Sequence, residues 1–482
     1  MDLDSGAGLL HRLTAYPLGR RWNEPVTDDP RVRHDLVSCD PDTMPPQFKA
    51  YAADLPTLAL PRELPPVAAP ATAVLAGHPC PAWPLDAAQL GRLLFLGAGV
   101  VRVAEVRGGR MAFRAAGSAG GRFPLEVYVS ARDIAGVPDG VHWYDARRHA
   151  LVQVGPAADG VGTTVVVTGV PWRTGWKYAE RGWRHLYWDA GTLLAQLEAA
   201  AAGAGLGPRV RSLFPDAQVR DLVGADGVHE YPLALLTLGD HEPAIQAAAV
   251  AVAGQLPPVE IPLCTAAQRA GERDVLGPPW PAGVPVSTAP PSPPLHDVVR
   301  RRGSQRRMDR SQLLPRRLLD WPLAAALRGV DVPHWVVVHG VTGVESGLYR
   351  WPLLSAPVWA GDLRDELEHV CMDQTLAADA GYVVIAATAL CALDDRGYRD
   401  AQLVAGLVEG RLHLAAYALG IGASGMTFLD AEVQKLLGEP ADLAPLLFTC
   451  VGVPEYAARA GGLPGAPVEV RQVTPRFAEA RS

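Results

Sequence analysis

This sequence predicts an α+β chain made of two diverged copies of one fold, joined as an intramolecular pseudo-dimer. Three observations predict it. The chain has 482 residues, 49% of them hydrophobic, which is more than one ordinary core needs. Helical and strand periodicities alternate along it instead of separating into blocks. Ordered segments recur about 215 positions apart.

Taken in order, residues 1–70 are rich in proline and charge, with short apolar runs, and read as an N-terminal arm or small helical subdomain. Residues 71–262 form the first copy. Leu85 to Gly97 has helical spacing, Leu125-Glu126-Val127-Tyr128-Val129 alternates like a strand, Val165-Val166-Val167 is a second strand, and Ala190 to Gly203 is a long helix. Residues 263–294 are the linker, because Leu276 to Pro294 holds too many prolines for a helix or a central strand. Residues 295–470 form the second copy and 471–482 a tail.

The internal match is ordered. Arg181-Gly182-Trp183-Arg184 recurs as Arg396-Gly397-Tyr398-Arg399, and Gly205-Leu206-Gly207 as Gly420-Ile421-Gly422, both 215 positions later. Asp216 to Gly224 recurs as Asp430 to Gly438 after a slip of one residue, and Leu235 to Gly239 as Phe448 to Gly452 after another. Pro124 and its strand align with Pro333 and Trp335-Val336-Val337-Val338. Each copy therefore runs helix, strand, turn, strand, long helix, Gly-rich loop, helix, strand.

Composition excludes several functions. A formal charge of −7 supplies no global positive field for nucleic acid or an anionic membrane. The six cysteines show no C-x-x-C pair and no histidines at zinc spacing, so reduced, mostly buried thiols and no metal are expected. Met1 to Leu10 is acidic where a signal peptide is basic, and no run reaches the roughly eighteen apolar residues of a membrane span. A soluble, cytoplasmic protein is the expectation.

The two copies have kept different things. The second opens with Arg300-Arg301-Arg302-Gly303-Ser304-Gln305-Arg306-Arg307, where the first has Leu75 to Cys80 with a histidine as its basic residue. Conversely, the first has Arg114 to Gly121, with Gly117-Ser118-Ala119, where the second has Leu323 to Gly329 without a serine. Five arginines and a serine beside a helix start suit a phosphate, which takes guanidinium forks, a hydroxyl and free N–H groups. A basic run is more often a solvated edge; its loss from the other copy favours function. Gly420 to Gly425 spells G-x-G-x-x-G, but it follows a helical pattern and leads to another helix near Asp430, so it is no dinucleotide fingerprint. It reads as a helix end that lets the chain pass close to a flat ligand.

These residues resemble the nitroreductase superfamily: an R-x-S-x-R phosphate motif (Arg302, Ser304, Arg306), a serine loop before a strand (Gly117, Ser118, Ala119, with Ala116 where proline is usual) and a late loop (Gly422, Ser424, Gly425). The resemblance implies two tandem nitroreductase-like domains with one FMN site, the phosphate motif and late loop from one copy and the serine loop from the other. More narrowly, Trp172 to Arg184, with Pro124 to Tyr128 and Asp139 to Asp145, resembles SagB-type dehydrogenases, the azoline oxidases of ribosomal peptides; His11 to Thr14 and Lys49-Ala50-Tyr51 also look like that group's leader segment. That resemblance implies Lys177 and Tyr178 as the catalytic pair, a modified precursor peptide as substrate, a cyclodehydratase as partner and oxygen as flavin reoxidant.

Chemistry agrees with a role for the pair. Aromatising an azoline removes a proton from the ring carbon next to the carbonyl and a hydride from its neighbour, so a lysine of depressed pKa or a tyrosinate beside a cation serves as base. An arbitrary Lys-Tyr pair is more often a surface residue and a core residue. Here the aligned second-copy positions are Ala392 and Leu393, while Arg-Gly-aromatic-Arg is kept in both. The competing readings are an NAD(P)H-dependent nitro, quinone or ene reductase and a flavin-binding protein without turnover. Whether the pseudo-dimer oligomerises further stays open.

Overall fold

Continuous apolar runs such as Val165-Val166-Val167 and Trp335-Val336-Val337-Val338 form strands buried along their whole length, because helices and loops cover both faces of the sheets they enter. The computed structural model describes residues 1–21, 24–35, 39–106, 109–438 and 443–478. In chain order its strands are β1 (Thr57–Ala59), β2 (Val100–Val106), β3 (Gly109–Arg114), β4 (Leu125–Ala131), β5 (Gly140–Asp145), β6 (Ala150–Gly155), β7 (Thr164–Gly169), β8 (Pro208–Arg211) and β9 (Tyr231–Leu238). The second copy adds β10 (His334–Val338), β11 (Gly347–Arg350), β12 (Trp359–Ala360), β13 (Tyr382–Ala389), β14 (Gly422–Met426) and β15 (Leu443–Gly452), and β16 (Val468–Glu469) follows.

The fold is α+β, and the duplication read from the sequence is present in its topology. One sheet runs β6-β5-β4-β7-β9-β8 and the other β12-β11-β10-β13-β15-β14, the same order in corresponding strands and antiparallel throughout. In the first sheet β1, from the N-terminal arm, extends the edge by pairing with β6.

Between the sheets lie the two long helices, Gly182–Gly203 and Asp395–Ala418. Asp394 caps the second by accepting from the Gly397 N–H, and Gly420 (φ +79°) lets the chain leave it. The helices touch at aligned glycines. A Cβ at Gly191 would lie 2.2 Å from the Leu403 carbonyl oxygen, and one at Gly406 2.3 Å from that of Trp188. Only glycine allows so close a crossing.

The repeated Arg-Gly-aromatic-Arg motifs clamp across the copies. Arg181 and Arg184 pair with Asp430 at 2.7 and 2.6 Å; Arg396 and Arg399 pair with Asp216 at 2.6 and 3.1 Å. All six side chains are buried, so each carboxylate depends on the other copy's arginines for its compensation. The arm reinforces one clamp: helix Gly6–Thr14 gives the Thr14 carbonyl to Arg181 and that of His11 to Arg184.

Four sequence expectations change. The Gly420–Gly425 segment is a loop only at its start, since Gly422–Met426 is the edge strand β14; backbone without side chains there lets Gln305 and Glu409 approach closely. The stretch expected as linker from residue 263 begins inside a helix, Pro262–Ala270, whose Cys264 and Ala267 are buried, while Leu276 to Pro294 has no helix or strand. The long first-copy helix starts at Gly182, eight residues before Ala190. A hairpin that periodicity did not reveal, β2–β3, precedes the serine loop, and β16, near the end of the second copy, pairs with β2. Among the described residues no helix is long and apolar enough to cross a membrane, and no group of side chains could hold a metal ion.

Candidate active site

The basic run that opens the second copy divides in two. Arg300 and Arg307 donate to the carbonyls of Gly461 and Thr474 and tie down the C-terminal segment. Arg302 is buried at the crossing of the two copies, its guanidinium donating to the Ala115 carbonyl at 2.5 Å and lying 3.2 Å from His413 Nδ1, with Nε left without a partner. Among the described residues no carboxylate forms an ion pair with Arg302 or Arg306. One physical detail differs from the sequence expectation: this segment follows the C-terminal end of helix Leu295–Arg301, so the positive end of a helix dipole is not what it presents. Its anion-binding capacity is that of two guanidinium groups and the Ser304 hydroxyl.

The serine loop of the first copy meets this segment. A Cβ on Gly117 would lie 3.4 Å from Arg302 Nη1 and 3.9 Å from Ser304 Oγ, so the predicted halves from the two copies are in contact. β14 runs alongside, its Ala423 carbonyl accepting from the Gln305 N–H at 3.0 Å. Gly422 packs on Gln305 and Gly425 on the Glu409 carboxyl. Ser424 is buried, and its hydroxyl lies 3.5 Å from the Gly425 carbonyl; no described hydrogen bond joins it to another predicted residue.

Helix Pro171–Tyr178 carries Lys177 and Tyr178 to the other side of the serine loop. At Gly120 (φ +58°) a Cβ would lie 2.5 Å from Tyr178 Oη and 3.0 Å from Lys177 Nζ, so the loop passes over the pair only because this residue is glycine. Two non-glycine residues with positive φ, Phe123 and Ala179 (both +48°), flank the arrangement. Each costs of order 1–3 kcal/mol and persists where its surroundings over-determine it. Phe123 is held by donating its N–H to Ser118 Oγ at 2.7 Å.

The electrostatics separate the two side chains. Burial lowers the Lys177 pKa, and the nearby cations Arg306, from the second copy, and Arg122 add to the effect against an opposing influence of Cys39. Burial raises that of Tyr178, although Arg306 and Arg122 oppose it. Of the two bases the sequence left open, the lysine of lowered pKa is favoured over a tyrosinate. The Tyr178 ring stacks on His185 (centroids 4.1 Å apart, 14° between planes), and both ring nitrogens of this buried histidine lack partners.

Two carboxyls here escaped the sequence reading. Asp189 accepts from Ser118 Oγ at 2.5 Å and from the Ala119 N–H at 2.9 Å, fixing the serine loop to the long helix. Burial pushes its pKa up to about 7 against those two hydrogen bonds. Glu409, from the other long helix, faces Thr192 and Gly425; burial and the repulsion of Asp189 push it up to about 8 despite Arg302. The signal was available: 215 positions away the counterparts are the apolar Val404 and Leu194. A small cavity of about 20 Å³ lies behind the loop, bordered by Arg114, Ser118, Phe123 and Asp189.

Comparison with known proteins shows what the chain is similar to. Residues 110–240, within the first copy, match the nitroreductase family model. A nitroreductase-like protein of Methanocaldococcus jannaschii is 29% identical over 171 residues, covering 32% of this chain and 81% of its own. A nitroreductase-like crystal structure from Anabaena variabilis superposes with a TM-score of 0.71 at 23% identity, covering 94% of this chain and all of that one. The first copy is thus similar to nitroreductases in sequence, and the fold of nearly the whole chain is similar to that of the Anabaena variabilis structure.

Proposed function

We propose that the chain is an FMN-dependent dehydrogenase that oxidises thiazoline or oxazoline rings of a modified precursor peptide to the aromatic azoles, working beside a cyclodehydratase. The observation that carries this reading is the meeting of Lys177 and Tyr178, at the serine loop, with Arg306 of the second copy. The donor set fits FMN: Arg302 is buried without a carboxylate partner and with an unsatisfied Nε, Ser304 lies by the same Gly117, and Arg306 follows two residues on towards Lys177, which suits an anionic phosphate. Gly117, Ser118 and Ala119 of one copy and Gly422, Ser424 and Gly425 of the other would hold the remainder.

Bound FMN supplies a hydride acceptor. The residues supply the rest. Lys177, its pKa lowered by burial and by Arg306 and Arg122, takes the proton from the ring carbon next to the carbonyl. Tyr178, held protonated by burial and fixed by stacking on His185, donates a hydrogen bond and does not act as base. Asp189 keeps Ser118 and Ala119 in place, so the loop is rigid before any ligand arrives.

Incubating the flavin-loaded protein with an azoline-containing peptide under air should remove two hydrogens per ring, read by mass spectrometry. Lys177→Ala should retain flavin and lose this conversion by at least a hundredfold, as loss of a positioned base does, ~10²–10⁴. No mass change with any azoline peptide, together with rapid bleaching of the flavin by NAD(P)H alone, would replace this reading with that of an NAD(P)H-dependent reductase.

A further inference from the structure

The duplication has a second consequence, on the opposite side of the paired helices. A cavity of about 440 Å³ lies there, walled by both copies and by the proline-rich segment. Its position is the mirror image of the candidate active site. Val404 in its floor corresponds to Asp189 and Leu407 to Thr192, each 215 positions apart, and the edge segment from Gly207 to Val210 corresponds to that from Gly422 to Gly425. Gly329, aligned through Pro333 and Pro124, corresponds to Gly120. The geometry of the vanished site has survived while its chemistry has been replaced.

The replacement excludes a phosphate-bearing ligand. Arg411 is buried and already committed, with Nη2 2.9 Å from Glu198 Oε2 and Nη1 donating to the Arg328 carbonyl at 2.9 Å. Arg209 pairs with Asp240 at 2.7 Å. A third carboxylate, Asp331, lines the same cavity, so its charge balance is slightly acidic. What remains free is apolar: the floor of Val404 and Leu407, Val330 on one wall, and Trp280 on the other. Trp280 is anchored there, its indole N–H donating to Ser212 Oγ at 2.9 Å and its backbone N–H to the Val210 carbonyl at 2.7 Å. The proline-rich stretch thus does more than connect the copies; it delivers an aromatic wall to the decayed site.

We propose that this cavity is a second binding site, for a flat, uncharged aromatic molecule. The volume lies within the range of small-molecule pockets, ~300–1,000 Å³, and the apolar part of the lining, beside arginines already paired with carboxylates, suits a neutral ring more than a charged one. Among the described residues an anion meets three carboxylates here and no cation that is not already paired. The site does not require the azoline reading, since it rests on the duplicated fold and its own lining.

The flavin-loaded protein titrated with the neutral dye 6-propionyl-2-(dimethylamino)naphthalene should show saturable, blue-shifted emission with one site per chain. Val404→Trp and, independently, Val330→Trp in the surface turn fill the cavity and should weaken binding at least tenfold while flavin content stays unchanged. The anionic dye 1-anilinonaphthalene-8-sulfonate should bind at least tenfold more weakly than the neutral one. Absence of saturable binding, binding undiminished in both filled variants, or tighter binding of the anionic dye would each overturn the proposal.

Discussion

Replacing Asp189 with asparagine tests the electrostatic reading of the active site without removing its shape. In the folded protein burial holds this carboxyl at about 7 against an ordinary 3.8. The folded state therefore keeps a proton that the unfolded chain releases, and wild-type stability falls as pH rises from about 4 to about 7, then levels off. Roughly three pH units at ~1.36 kcal/mol each give a loss of about 4 kcal/mol across that window. Asparagine does not titrate. It forfeits a roughly constant amount, ~0.5–1.5 kcal/mol, for the hydrogen bond from Ser118. The stability of Asp189→Asn relative to wild type should therefore climb by about 4 kcal/mol between about pH 4 and about pH 8. Glu409 titrates in both proteins and cancels apart from its repulsion by Asp189. Urea unfolding at both ends of the range measures the difference. A difference flat within ~1 kcal/mol, or one that falls with pH, would mean that Ser118 and Ala119 stabilise an ionised carboxylate, refuting the reasoning.

Other perturbations address the pairing of the copies. Gly406→Ala places a methyl group 2.3 Å from the Trp188 carbonyl oxygen, and should destabilise by ~1–3 kcal/mol in urea unfolding, as overpacking does. Asp430→Ala strands Arg181 and Arg184 in the core and should cost ~3–5 kcal/mol, the range for a broken buried pair. Burial raises the Asp430 pKa, but Arg181 and Arg184 outweigh it and hold the carboxyl down at about 2. The clamp's contribution in the wild type is therefore present above about pH 4 and disappears as pH falls through about 2, a step absent from Asp430→Ala in acid titrations followed by circular dichroism.

Much of this was legible in the sequence because duplication makes a chain its own comparison. The offset that aligned Arg181 and Arg184 with Arg396 and Arg399, and nearly the same offset for Asp216 and Asp430, marked the residues of both clamps as repeated, although not that they pair with one another. Arg302 and Ser304 could be expected to meet Gly117 because each motif is present in one copy alone. Asp189 and Glu409 were not found, since a lone carboxylate in a long helix ordinarily faces water, and only the helix–helix packing puts these two inside. The strand character of Gly422–Met426 was hidden as well. Glycine is a poor strand former, and what places it there is the ladder with β15, a tertiary contact. The pairing of β16 with β2 joins residues more than 300 positions apart, and local periodicity carries no trace of it.

The central claim is one composite flavin site per chain, with phosphate groups from the second copy and the serine loop and Lys177-Tyr178 from the first. Its most direct test is the flavin stoichiometry of the purified, FMN-saturated protein, from the absorbance of released flavin against chain concentration by amino-acid analysis. One FMN per chain, falling sharply in Arg302→Ala and equally sharply in a serine-loop variant such as Gly117→Val, is the predicted result. Two FMN per chain, or a single FMN insensitive to either variant, would contradict it.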